Sequence, residues 1–350
     1  MERKILVIGD SYMNLQMKVE SYNKVDGTVE GGEYRFHAFG KSAASAVSIA
    51  KLGGNCVFCT KLGKDTNGDR LLKYYEKCGL SCHLIEQKAG HQTGMSITTY
   101  DELGHHTNYV SRGVCSLIGK EEIDSAIADC PDVFLIPQEP LRIPHEVEQR
   151  VESDDDLSDE PGEKTTKVIR RTVYENLTEY AVNRAISQGI DMIMEYNEST
   201  SELHLDSIPN LKALIISDAD IYQLTGFSPD TAEKSVRAIV ALSSKIKSKF
   251  YIINKLGTSF VYDGTNYEFA EAPVSLKNAM DQAEMHTPIF VGAFTYMFVK
   301  SRNPARAARY AQIVTLMARS RYGTLEYIPN KAEIDKYIAD NRIDLNHNCL

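Results

Sequence analysis

From residue 174 onward the chain repeats one unit, a helical stretch followed by a short apolar run. The runs fall at 192–196, 213–217 and 250–254, with helix-length segments between them. Strands separated in this way pair in parallel and need helices on both faces of the sheet. Two earlier runs, 4–9 and 133–137, read as further buried strands of the same sheet. A late hairpin is expected at 260–262 and 267–269. Three helices, around 290–300, 305–321 and 331–339, close the chain.

Two stretches break this rhythm. Residues 14–39 and 93–112 mix polar and apolar positions around glycines, as half-exposed antiparallel strands joined by turns do. Gly104-His105-His106 reads as a hairpin tip. The organisation that follows is a large α/β domain from 1–13, 40–92 and 113–350, with a small β lid from 14–39 and 93–112. Residues 151–166 are acidic and poor in apolar side chains, which predicts a solvated insertion loop. Their spacing is not that of an EF-hand.

A hydrophobic content of 43% over 350 residues suffices for one large core. A net charge of −9 speaks against a nucleic-acid partner, which needs a basic patch. No apolar run is long enough to span a bilayer. Ile5–Ile8 is too short for a signal-peptide core, so a cytoplasmic protein is expected. Cys56 and Cys59 form a Cys-x-x-Cys, but in a strand residues three apart point to opposite faces. Buried structural thiols are therefore expected, not a metal site.

Residues 41–52 form a helix rich in Ala and Ser, which suits either a pocket wall or tight packing. At 285–294, Thr287 reads as an N-cap and Pro288 as the first residue of a buried helix.

Together these residues carry a resemblance. Gly9-Asp10 is followed by Gly40-Lys41, Ala43-x-x-Ala46, Leu52-Gly53 and Leu62-Gly63-x-Asp65-x-x-Gly68. Then come Thr93-Gly94, Gln138-Glu139-Pro140, Leu224-Thr225-Gly226, Leu256-Gly257, Phe290-x-Gly292-Ala293-Phe294, and Gly323 with Pro329. In that order they resemble the ribokinase-like (PfkB) family of sugar and nucleoside kinases. The resemblance implies a three-layer αβα sandwich of eight or nine strands, with a β lid that closes over a sugar and often pairs two subunits. It implies ATP and Mg²⁺ as cofactors and a small-molecule substrate. Substrate contacts would fall at Asp10, Asn14, Gly40, Lys41, Ala44 and Glu139. Nucleotide contacts would fall at Ser217, Asp220, Lys255, Gly257, Thr258 and Thr287, with Asp220 also the metal ligand.

The family's chemistry depends on a loop Asp-Thr-x-Gly-Ala-Gly-Asp ahead of the apolar helix. Its glycines turn backbone N–H groups toward the transferred phosphoryl group, and its last aspartate takes the hydroxyl proton. Aligned from Phe290-Val291-Gly292, this chain has Met285 and Thr287 at the glycines and Pro288 at the base. Losing the base costs ~10²–10⁴ in rate, and losing one anion-hole donor ~10²–10³. In the sugar site, Phe39 replaces a glycine, Ala44 an asparagine and Asn14 an aspartate. The expectation is a ligand-binding pseudokinase. The alternatives are an active kinase using Glu284 or His286 as a displaced base, and a structural subunit assembling through its lid.

Overall fold

The computed structural model describes residues 3–20, 28–102, 105–153, 165–197, 200, 203, 208–273, 276, 286–319 and 325–347, with only the backbone at 149–153 and 165–169. The chain opens with β1 (Ile5–Ile8), β2 (Tyr12–Val19), β3 (Gly31–Phe39), α1 (Lys41–Lys51), β4 (Cys56–Gly63) and α2 (Thr66–Lys77). Next come β5 (Ile85–Lys88), β6 (Gly94–Tyr100), β7 (His106–Ser111), α3 (Lys120–Ala128) and β8 (Val133–Leu135). A hairpin of β9 (Arg142–Ser153) and β10 (Thr165–Asn176) precedes α4 (Thr178–Ser187), β11 (Asp191–Tyr196), β12 (Leu211–Ser217), α5 (Asp218–Thr225) and α6 (Ala232–Ser243). The last third holds β13 (Phe250–Lys255), β14 (Thr258–Tyr262), β15 (Tyr267–Glu271), α7 (His286–Ser301), α8 (Pro304–Arg319) and α9 (Lys331–Asp340).

Nine strands form the central sheet in the order β15-β14-β13-β12-β11-β8-β1-β4-β5. From β13 to β5 every pairing is parallel, and β14 and β15 add antiparallel strands at one edge. The sheet has two cores because its side chains alternate. Ile5 and Val7 pack with α1, α2, α7, α8 and α9, while Leu6 and Ile8 pack with α3 to α6. Cys56 lies in the first core and Cys59 in the second, so their thiols diverge. This is the three-layer αβα architecture, with helices on both faces of a mostly parallel sheet.

A separate four-stranded sheet runs β3-β2-β6-β7. Its central pair, β2 with β6, is parallel and joins segments far apart in sequence. One of its faces carries Tyr34, Phe36, Ile97 and Tyr109, all exposed.

Two local expectations change. The stretch 151–166 is not loop throughout: strand β9 runs to Ser153 and β10 resumes at Thr165, with residues 154–164 outside the described ones. Twelve antiparallel pairs hold this hairpin, and Tyr174 belongs to β10, so the helix that follows begins at Thr178. Thr287 is a helical residue of α7 rather than its cap, since the helix is already formed at His286. Pro288 sits within that helix, its fixed φ suiting the conformation.

Candidate functional site

The carboxyl ends of parallel strands are where α/β proteins bind ligands, and the candidate residues gather there. Asp10 follows β1, Glu139 follows β8, Ser217 ends β12 and Lys255 ends β13. The face of the four-stranded sheet that carries Tyr12 and Asn14 lies against the Asp10 and Glu139 end, where Tyr12 bonds Glu139.

At that end Gly40 precedes α1 with a φ of 122°, a conformation that favours glycine. A Cβ there would stand 2.8 Å from the Asp10 carbonyl oxygen. The close approach brings α1 against Asp10, whose Oδ1 accepts from Ser42 N–H at 3.4 Å. Glu139 Oε2 accepts from the Tyr12 hydroxyl at 3.2 Å and lies 3.4 Å from Arg112. Burial and the adjoining Asp10 carboxyl push the Glu139 carboxyl well above the ordinary carboxylate range, against Arg112 and Lys41. Among Asp10, Arg112 and Glu139 about 10 Å³ stays free, room for about one water.

Asn14 does not face that space alone. Its amide donates to His37 Nε2 at 3.0 Å and Thr98 Oγ1 at 3.1 Å, and its oxygen accepts from Ser96 Oγ at 2.8 Å. Thr98 passes the chain on to Asn108 at 2.5 Å. Burial first, then Arg35, pushes the His37 imidazole down to about 4, which keeps Nε2 free to accept. Asn14 thus holds three strands of its sheet together. Ala44 is fully buried in the core, so α1 there serves tight packing rather than a pocket wall.

A second chain of polar groups reaches the first turn of α7. Ser45 Oγ lies 2.8 Å from the Pro288 carbonyl and 2.6 Å from Gln138 Oε1. Gln138 Nε2 in turn donates to Glu195 Oε2. Burial pushes the Glu195 carboxyl up to about 7, and Gln138, Lys41 and Asn197 only partly offset it. Glu195 escaped the sequence reading. Its signal was a lone carboxylate inside the apolar run Met192-Ile193-Met194-Glu195-Tyr196.

The nucleotide candidates divide. Lys255 and Thr258 line an open groove of about 270 Å³ with Asp218, Tyr222, Phe260 and Phe269. Ser217 caps α5, accepting from Asp220 N–H at 3.0 Å and donating to the Asp220 carboxylate at 2.5 Å. Gly257 N–H is taken by Gln312 Oε1 at 2.9 Å, and Gln312 Nε2 reaches Asn254, Lys255 and Ser259. Two acidic residues, Asp218 and Asp220, stand in the first turn of α5. Among the described residues no three His, Cys, Asp or Glu side chains form a metal cluster. Thr287 stands in α7 beside Pro288, His286 is half-buried at its start, and Glu284 lies outside the described residues.

A nine-stranded αβα sandwich with a separate four-stranded sheet is the ribokinase-like fold. A solved ribokinase from Giardia lamblia superposes with a TM-score of 0.73 at 18% identity, covering 97% of this chain and 99% of that one. A ribokinase from Arabidopsis thaliana, solved with ribose and ATP, gives 0.72 at 16% identity, covering 96% and 98%. A deoxyribokinase of Salmonella typhi is 22% identical over 337 residues, 96% of this chain and 99% of its own. Residues 2–133 match the pfkB family carbohydrate kinase model.

Proposed function

We propose that this chain binds a sugar- or nucleoside-type small molecule in the cleft under the four-stranded sheet, which acts as its lid, and has lost phosphoryl transfer by the family's route. The observation that carries this reading is Pro288. It stands in α7 where the resemblance requires a proton acceptor, and its carbonyl is already held by Ser45. The occupied Gly257 amide supports the same reading. Purified protein with ATP, Mg²⁺ and a panel of pentoses and nucleosides should turn over below ~0.1 s⁻¹, against ~1–100 s⁻¹ for working kinases. A panel member should nonetheless raise the melting temperature by mass action. Turnover at ordinary kinase rates overturns the loss of transfer, and no stabilisation by any member overturns the binding.

A second reading is an active kinase that uses Glu284 or His286 as a displaced base. Turnover at ordinary kinase rates that vanishes in Glu284→Ala or His286→Ala would favour it.

We also place the chain in the cytoplasm, where the free thiols of Cys56, Cys59, Cys78, Cys82, Cys115 and Cys130 stay reduced. The exposed lid face of Tyr34, Phe36, Ile97 and Tyr109 supports a homodimer. Light scattering should give twice the chain mass for the wild type and the chain mass for Phe36→Glu. A monomeric wild type removes that assignment.

A further inference from the structure

The cleft already contains a ring, and the ring is the protein's own. Tyr12 and Asn14 share the cleft face of β2, because alternate strand residues point the same way. The Tyr12 side chain is 1% exposed. It lies across Gly94 of β6, where an added Cβ would come within 2.5 Å of Tyr12 Cδ1 and 2.7 Å of the Arg112 carbonyl oxygen. Gly94 is thus the position that makes room for the phenol. At its far end the ring's hydroxyl donates to Glu139, to the oxygen that faces Arg112. Among the described residues, the cavity between Asp10, Arg112, Glu139 and Pro140 holds about one water.

We propose that Tyr12 determines the specificity of the cleft: its phenol takes the place of a ring-shaped ligand at Glu139 and excludes free pentoses. This rests on the small-molecule reading of the site. Asp10, Lys41 and Glu139 remain as the polar floor that a pentose would use once the ring is gone. The hydroxyl alone is not the barrier; the volume of the ring is.

The test compares wild type, Tyr12→Phe and Tyr12→Ala with D-ribose and 2-deoxy-D-ribose, by titration calorimetry and thermal shift. Wild type and Tyr12→Phe should bind neither sugar at millimolar concentration. Tyr12→Ala should bind at least one, with a gain of about tenfold or more over wild type. A pentose bound by wild type within about threefold of Tyr12→Ala overturns the proposal and leaves the binding site intact. So does an equal gain in Tyr12→Phe, which keeps the ring. A folded Tyr12→Ala that binds no pentose also overturns it. The small-molecule reading falls with it only if the nucleosides fail to stabilise both proteins. Should Tyr12→Ala not fold, Tyr12→Leu serves in its place, keeping an apolar contact with Gly94 while shedding the ring.

Discussion

Glu195→Gln is expected to stabilise the protein at pH 8 by on the order of 3 kcal/mol at most, and to leave it unchanged near pH 4. In the folded chain burial pushes this carboxyl up to about 7 from an ordinary value of 4.5. The unfolded chain therefore releases the proton first. Below about 4.5 both states hold it and nothing is lost. As the pH rises from there to about 7 the folded state falls behind, and above that the penalty is constant. Glutamine keeps an oxygen to accept from Gln138 and carries no charge to bury. His37 works in the opposite sense. Its imidazole is pushed down to about 4 from 6.5, so its contribution is present above 6.5 and lost as the pH falls toward 4. The two slopes oppose each other between pH 4.5 and 6.5 in the wild type, which flattens its curve there. Urea titrations of wild type and Glu195→Gln across pH 4–8 read the difference directly. Equal slopes in the two proteins would mean that Glu195 is not held protonated. A buried carboxylate whose removal stabilises the fold is what a site kept for chemistry or binding looks like, because stability alone would not retain it.

The central architecture was legible in the chain because burial leaves a period. The runs that became β1, β8, β11, β12 and β13 are apolar on both faces, as parallel strands between helix layers must be. The β9–β10 hairpin was not. Val147 between Glu146 and Glu148, and Val173 between Thr172 and Tyr174, lie on a two-stranded ribbon and stay about half exposed, so the stretch lacks the buried apolar face that marks a core strand. The parallel partnership of β2 and β6 is a tertiary fact with no local trace. In the site, Asp10 and Glu139 stand together as a carboxyl pair. Tyr12, Glu195 and Gln312 were overlooked, because each is a polar group in a buried run and a pattern search counts only the run. Gln312 inside Tyr310-Ala311-Gln312-Ile313-Val314 is the plainest case: a fully buried amide whose purpose appears only when the Gly257 loop is seen beside it. Gly292, which entered only as part of the resemblance, proves to serve packing.

Gly292→Ala shows how much rests on that packing, and is expected to cost about 2–4 kcal/mol, with valine at the same place costing more. At this position α7 crosses α1. A Cβ on Gly292 would stand 2.5 Å from the Ser45 carbonyl oxygen, 2.8 Å from Ser48 Cβ and 2.9 Å from Ser45 Cα. Two of these three are backbone atoms of a buried helix whose face toward α7 is made of small residues. They cannot yield as the tip of a flexible side chain would, so the helices must separate. Separation would pull Ser45 Oγ away from the Pro288 carbonyl and loosen the link through Gln138 to Glu195. Stability and ligand binding should therefore fall together, although residue 292 faces α1 and not the cleft. Ala293→Gly is the control. It removes a buried methyl from the neighbouring position and should cost only ~1–2 kcal/mol, from helix propensity and a small cavity. Denaturation midpoints and calorimetric binding of whichever sugar or nucleoside stabilises the wild type give both readouts. If Gly292→Ala melts within the error of the wild type, the two helices have slack at their crossing. The tight seat that fixes the head of α7 against Ser45 would then be lost as an explanation for the geometry of the site.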